Sequence, residues 1–188
     1  HSVKELVAIA RARPGVLNYA TGTPGSPNHI AGELLKAMAG VDIVRVPYKG
    51  TAMALVSLMG GEVHMAFSPA STVAPHLKSG TMKVLAVSSA QRTGAAPEVP
   101  TVAEVIKDPN FDLTLWQGFF APRNTPKEIV DRLNIEINRI LSQPDVKARL
   151  LEAGADVRSG SVEQFAQFAK SESEKYLQII KESGVKPE

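Results

Sequence analysis

The chain has 188 residues, of which 44% are hydrophobic and 21% charged, which is enough material for one or two packed globular units and excludes a disordered chain. Its formal net charge of +2 is spread along a chain with few aromatic residues, so nucleic acid is not an expected partner. The absence of cysteine excludes a thiol nucleophile, a disulfide framework and a cysteine-built zinc site.

The first half of the chain alternates predicted helices with predicted strands. Ser2 and Glu5 form a capping box that opens a helix, and Pro14-Gly15 ends it. Strands are predicted at residues 17–20, 43–46, 63–67 and 84–87. Strands and helices that alternate at this spacing indicate right-handed crossovers, and therefore an α/β fold with a parallel sheet flanked by helices.

Three of these strands end in loops of similar chemistry. The loops read TGTPGS, PYKGT and SPAS, and two of them contain a serine followed by proline, which is typical of a helix N-cap with proline at the first helical position. The carboxyl ends of parallel strands lie at one edge of a sheet, where ligands gather. We therefore expect the three loops to line one edge, with helix N-termini that suit an anion.

The second half contains more helix than sheet. Residues 88–112 are interpreted as a connector, and capping boxes are predicted at Thr101 with Glu104, Thr125 with Glu128, and Ser161 with Gln164. These open helices at about 102, 126 and 162, the last of which runs nearly to the C-terminus, and a further helix follows Pro144. Residues 113–116 followed by 118–120 are predicted to form one or two apolar strands, and residues 155–157 a further short strand.

This division predicts two units. Residues 1–112, with the connector, form an α/β ligand-binding lobe, and residues 113–188 form the C-terminal part of another lobe. The second part has more helices than its few strands could pack against as a sheet. We therefore expect its sheet to be completed by chain that precedes this sequence.

Nucleotide binding and catalysis find little support in the three loops. TGTPGSPN has Pro27-Asn28 where a P-loop needs a Lys-Ser/Thr pair, and its glycines lack the spacing of a dinucleotide fingerprint. Ser26 and His29 could suggest a nucleophile and a base, but Ser26 is interpreted as a cap and no G-x-S-x-G elbow is present. The histidines lack metal-ligand spacing, so no metal or other cofactor is predicted.

The carboxylates lie mainly on predicted helix faces rather than in the loops. Lys49 is either an anion ligand or a solvated loop lysine, and Ser68 is interpreted as a cap whose hydroxyl can also bind a ligand. An edge rich in donors and poor in acids and bases favours a binding protein for a small anion over an enzyme. An α/β transferase or hydrolase that uses the same edge is the alternative.

Two longer segments resemble a known family. The segment YATGTPGSPNHIAGELL resembles its YASSGxGSxxHLAGELF segment. The segment VPYKGTAMALVSLMGGEVHMAF resembles its VPYKGxxPALxDLLGGxVDMMF segment. The family is that of the substrate-binding proteins of tripartite tricarboxylate transporters, also called Bug receptors. VLAVSSAQRTGAAPEVPTVAE and GFFAPRNTPKEIVDRLNIEINRIL match later parts of the same family. The resemblance covers essentially the whole chain.

The resemblance implies a periplasmic binding protein of type II-like fold, without catalysis, that closes two lobes on a small organic carboxylate and passes it to membrane permease subunits. The residues that it implies face the ligand lie in the three loops: Thr21, Gly22, Gly25, Ser26 and His29; Tyr48, Lys49, Gly50 and Thr51; and Ser68 and Pro69. Thr23 stands where glycine is usual, and Ser68 where many members have Asp.

Further expectations follow from the resemblance. Since Ser68 cannot pair with an ammonium group, a di- or aromatic acid is expected to bind better than an amino acid. Family members have further chain before this segment, including another carboxylate-gripping loop. We therefore expect this chain alone to bind weakly, to expose apolar surface around Leu113, Leu115 and Phe119, and to self-associate. No signal peptide is present in the sequence, so the periplasmic location comes from the resemblance alone.

Overall fold

The computed structural model describes residues 2–183 and has an α/β architecture. Its helices are α1 (Val3–Ala12), α2 (Pro27–Ala39), α3 (Thr51–Met59), α4 (Ala70–Lys78), α5 (Val102–Ile106), α6 (Lys127–Leu141), α7 (Pro144–Glu152) and α8 (Val162–Ser183). Its strands are β1 (Asn18–Thr21), β2 (Val44–Pro47) and β3 (Met65–Ala66). Within the described residues, none of the helices is long and apolar enough to cross a membrane.

The three strands form a parallel sheet in the order β2-β1-β3. Thr21 at the end of β1 pairs with Pro47 at the end of β2, and Ala20 pairs with Ala66 at the end of β3. The prediction of a parallel sheet flanked by helices is confirmed. The two crossovers leave β1 in the centre, between the strands that follow it in the chain.

Each face of the sheet is covered by helix. Successive strand residues point to opposite faces, and accordingly the fully buried Tyr19 packs with apolar side chains of α1, α2, α5 and the C-terminal end of α8, while Ala20 packs with Ala54 of α3 and with Val63. Ile179 of α8 is buried in the same core as Tyr19. The last helix therefore returns to the sheet formed by the first half of the chain.

Several predicted strands are absent from the described structure. Residues 84–87 form only one isolated bridge, between Val87 and Thr101, because β3 is two residues long and offers a further strand little edge to pair with. Residues 113–116, 118–120 and 155–157 also form no strand. Leu113 instead donates its N–H to the Ser88 carbonyl at 2.8 Å and accepts from the Ser88 hydroxyl at 2.7 Å, so one backbone bond and one side-chain bond stand in place of a strand ladder.

The predicted helix caps are partly correct. Ser2 caps α1, Thr101 and Glu104 form a capping box on α5, and Ser161 and Gln164 form one at the start of α8. The predicted starts at Ser68-Pro69 and Thr125-Pro126 are wrong, because α4 and α6 begin one residue later, with the proline itself as N-cap. Proline fixes φ but not ψ, and ψ values of 138° and 140° keep these two prolines outside the helix.

The segment after Leu113 packs on α8 through aromatic rings. Trp116 lies edge-on to Phe165 and Phe168, with ring centroids 5.9 and 5.4 Å apart, and Phe120 lies 5.2 Å from Phe165. The expected exposed apolar surface is present at Leu115 and Phe119, which are 52% and 78% exposed. Leu113 was wrongly included in that surface, because it is 4% exposed and belongs to the core.

The contact between α2 and the sheet leaves no room for a side chain at Gly32. A Cβ on Gly32 would overlap the ring of Tyr19, whose hydroxyl donates a 2.5 Å hydrogen bond to Glu33. We expect Gly32→Ala to destabilise the fold by about 2 kcal/mol, because overpacking outweighs the higher helix propensity of alanine.

Gly60→Ala is the matched control. Gly60 has φ −75° and ψ −7°, and a Cβ on this residue would have the Val56 carbonyl oxygen as its nearest neighbouring atom, at 3.5 Å. Its replacement should change stability by less than about 1 kcal/mol. Urea denaturation followed by circular dichroism measures both variants, and equal midpoints for the two would contradict the close packing of α2 on Tyr19.

Candidate functional site

The three predicted loops lie side by side at one edge of the sheet. They follow β1, β2 and β3, whose parallel arrangement places all three carboxyl ends together. The backbone N–H of Tyr48 donates to the Thr21 carbonyl at 2.8 Å, which ties the second loop to the end of the central strand. The structure thus brings together the loops that the sequence predicts to be neighbours.

Helix N-termini follow each of these strand ends. α2 begins at Pro27, α3 at Thr51 and α4 at Ala70, each within a few residues of the strand before it. The first turn of a helix has free N–H groups and a partial positive charge. Three such ends at one edge make it favourable for an anion.

Two serine hydroxyls at this edge are buried without a hydrogen-bond partner. Ser26 occupies the N-cap position of α2, but its side chain makes no capping bond, so the interpretation of its hydroxyl as an engaged cap is wrong. The hydroxyl of Ser68, next to the N-cap of α4, is also unpartnered. Leaving a buried hydroxyl unpaired costs about 1–3 kcal/mol.

These two oxygens are closed to solvent in the described conformation. A ligand can therefore reach them only if the loops shift. Ser26 and Ser68 lie on the loops after β1 and β3, which are paired neighbours in the sheet. A shift of either loop that admitted an acceptor atom would relieve the cost of an unpaired hydroxyl.

The loop after β1 is shaped by His29. Gly25 has a left-handed φ of +73°, which favours glycine, and its N–H donates to His29 Nδ1 at 3.0 Å. The N–H of Ser26 donates to the Thr23 carbonyl at 3.1 Å. His29 is only 6% exposed, so the structure places its ring behind the loop rather than at the open edge.

Two residues bring positive charge to this edge. Lys49 is exposed in the second loop, where it can meet an anion or remain solvated. Arg45 of β2 is partly buried, and its Nη1 lies 3.3 Å from His29 Nδ1. The sequence prediction missed Arg45, and the available signal was a charged residue inside the apolar strand IVRV, one residue before that strand ends.

The other predicted ligand residues differ in accessibility. Thr21 and Gly22 are buried, and the Thr21 hydroxyl donates to the Gly22 carbonyl at 3.2 Å. The partly exposed members of the set are Tyr48, Gly50, Thr51 and Pro69. Gly50 is the N-cap residue of α3. These four residues are therefore more available to a ligand than Thr21 and Gly22.

A carboxylate of α2 close to this region is already engaged. Glu33, one turn beyond His29, accepts hydrogen bonds from Tyr19 and from Lys36 at 2.5 and 2.9 Å. Burial works to raise the pKa of Glu33, but these hydrogen bonds outweigh it and hold the pKa below its ordinary value. Over residues 2–183, His, Asp and Glu side chains form no group of three that could hold a metal ion.

Comparison with known proteins gives one consistent family. The family model described as tripartite tricarboxylate transporter family receptor matches residues 1–185. A UPF0065 protein of Pseudomonas sp. (strain P51), from the tcbD-tcbE intergenic region, is 36% identical over 96% of this chain and 54% of its own length. Protein BugT of Bordetella pertussis is 32% identical over 98% of this chain and 56% of its own length.

Solved structures agree with these matches. R. palustris Rpa4515 with adipate has a TM-score of 0.89 and 35% identity, and the match covers 100% of this chain and 62% of the Rpa4515 chain. The periplasmic binding protein BugD has a TM-score of 0.82 and 28% identity, over 100% of this chain and 63% of its own. MatC of Rhodopseudomonas palustris with bound malate has a TM-score of 0.76 and 31% identity, and the match covers 95% of this chain and 62% of the MatC chain. The chain spans slightly more than half the length of the curated relatives named above.

The unpartnered hydroxyl at the start of α2 predicts an unusual response to Ser26→Ala. No capping bond is lost and an unpaired polar atom is removed, so stability should stay the same or rise by up to about 2 kcal/mol. Thermal unfolding measures the change.

Ser161→Ala provides the matched control at another helix start. The Ser161 hydroxyl accepts a 3.2 Å hydrogen bond from the Gln164 N–H, and its loss should cost about 1 kcal/mol. A destabilisation by Ser26→Ala as large as that by Ser161→Ala would show that the Ser26 hydroxyl is an ordinary cap.

Proposed function

The chain belongs to the tripartite tricarboxylate transporter receptor family, and on that premise we propose that it binds a small organic carboxylate at the sheet edge and delivers it to the membrane permease of a transporter. We propose the periplasm as its location, in keeping with the structural neighbour described as periplasmic binding protein BugD. The family is one of receptors, and so the alternative of a transferase or hydrolase is set aside.

The observation that carries this proposal is the convergence of three helix N-termini with two unpartnered hydroxyls. A carboxylate is a small, flat anion with two acceptor oxygens, and it matches backbone N–H groups and hydroxyls that lack acceptors. The proposed contacts are the N–H groups of Gly50-Thr51 and the hydroxyls of Ser26 and Ser68. The N–H groups of Gly25 and Ser26 already donate to His29 Nδ1 and to the Thr23 carbonyl, so they shape the first loop beside the ligand rather than bind it. Charge from Lys49 and Arg45 favours the anion further.

Two structural neighbours support a dicarboxylate as the ligand class. Rpa4515 is described with adipate and MatC with bound malate, and both acids have two carboxylate groups. Ser68 offers a hydroxyl but no negative charge to a ligand ammonium. We therefore propose that plain di- or aromatic acids bind better than amino acids.

We also propose a two-part organisation of the chain. Residues 1–112 provide the ligand-binding lobe and its connector, and residues 113–188 belong to a second lobe. α8 joins the two, because its N-terminal half packs on Trp116 and its C-terminal end is buried beside α2.

An NMR titration tests the ligand and its site together. Adipate, malate, benzoate and aspartate, added to millimolar concentration, should shift the amide signals of Gly25, Ser26, Gly50 and Thr51. Aspartate should bind at least about threefold more weakly than adipate or malate, because its ammonium group loses solvation without gaining a partner. Millimolar acids that leave these four signals unmoved, or tightest binding by aspartate, would overturn the proposal.

Self-association is proposed for the apolar surface beyond the aromatic cluster. Phe119 and Phe120 are 78% and 72% exposed, and burial of one such ring between two copies favours association by about 2 kcal/mol. Phe119→Ser should therefore weaken any dimer by about tenfold or more in analytical ultracentrifugation. Val56→Ser, at another exposed apolar residue, on α3, is the control. A monomer at all concentrations, or equal weakening by both substitutions, would argue against association through Phe119.

A further inference from the structure

His29 lies where it can control the shape of the first loop. It is in the first turn of α2, is only 6% exposed, and reaches back to the N–H of Gly25, four residues earlier, at 3.0 Å. A backbone N–H can only donate, so His29 Nδ1 must be the acceptor and must carry no proton. This contact fixes which nitrogen of the ring faces the loop.

Arg45 reaches the same nitrogen from the neighbouring strand. Its Nη1 lies 3.3 Å from His29 Nδ1, and a guanidinium group also can only donate. A loop amide and a cation therefore share one imidazole lone pair. This arrangement places the positive charge of Arg45 directly behind the loop that carries Gly25 and Ser26.

Packing alone does not define the position of Gly25. The residue is exposed, and a Cβ built on it would meet no heavy atom within 4 Å. The loop around it is tied by the hydrogen bond from Gly25 to His29 and by the turn bond from Ser26 N–H to the Thr23 carbonyl. The first of these two bonds depends on one side chain, which a substitution can change.

We propose that His29 is a positioning residue that acts through Nδ1 and is oriented by Arg45. It holds Gly25 in its left-handed conformation and thereby sets the position of the next residue, Ser26, whose hydroxyl is the unpartnered donor for a bound carboxylate. Its role in ligand affinity rests on the proposed function, whereas its hold on Gly25 does not. This role differs from the direct ligand contact that the family resemblance implies for His29.

Two amide substitutions separate positioning from packing. In His29→Asn the side-chain oxygen can occupy about the place of Nδ1, whereas in His29→Gln the longer side chain carries its oxygen to about the place of Nε2. Glutamine fills more of the space left by the ring than asparagine does. A packing role therefore favours His29→Gln, and a positioning role through Nδ1 favours His29→Asn.

The experiment measures the exchange of the Gly25 amide with water by NMR, in the 188-residue chain and without ligand. Exchange should be slow in the wild type and in His29→Asn, and about five- to tenfold faster in His29→Gln, as expected for one lost hydrogen bond. Equal exchange in His29→Asn and His29→Gln, or faster exchange in His29→Asn, overturns the proposal.

Two further measurements keep the result decisive. Should the variants fail to fold, the ¹⁵N signals of the His29 ring in the wild type decide, because a proton on Nδ1 excludes an acceptor role. Where the variants fold, titration with adipate should show that the wild type and His29→Asn bind adipate with similar affinity and that His29→Gln binds it more weakly. Adipate that fails to bind the wild type contradicts the proposed function, while the exchange of Gly25 still tests His29 by itself.

Discussion

The central position of β1 in a parallel sheet is the constraint on which the site depends. Each parallel connection must leave a strand at its carboxyl end and return through a helix, so every strand end is followed by a helix start at the same edge. With the order β2-β1-β3, the loop after β1 lies between the other two. Donor groups from three distant segments are thereby brought together without long loops of their own.

The interior and the edge of this sheet serve different purposes. Inside, Tyr19 packs on Gly32 and bonds to Glu33, and both faces of the sheet are covered by apolar side chains. At the edge, the hydroxyls of Ser26 and Ser68 are buried without partners, at a cost that the packed core must offset. Unpaired donors next to positive helix ends are a cost in the free protein and an advantage once an anion is present, which is consistent with a receptor.

The sequence was informative where local rules and periodicity agree. The alternation of strands, loops and helices predicted the parallel sheet and its three neighbouring loops. Capping-box spacing predicted the caps at Ser2, Thr101 and Ser161. It failed where the outcome depends on partners: residues 84–87 have β-like composition but little edge to pair with. The contacts of His29 could not be predicted either, because Gly25 and Arg45 meet one ring nitrogen across a loop and a strand.

The most direct test of this account is a crystal structure of the chain grown with adipate. The account predicts one carboxylate of adipate at the sheet edge, beside the loop that carries Gly25 and Ser26 and within hydrogen-bond distance of the backbone N–H groups of Gly50-Thr51. It also predicts that the Ser26 hydroxyl, unpartnered in the present structure, donates to that carboxylate. Adipate bound elsewhere, for example beside Trp116, with Ser26 unchanged, would contradict the central claim.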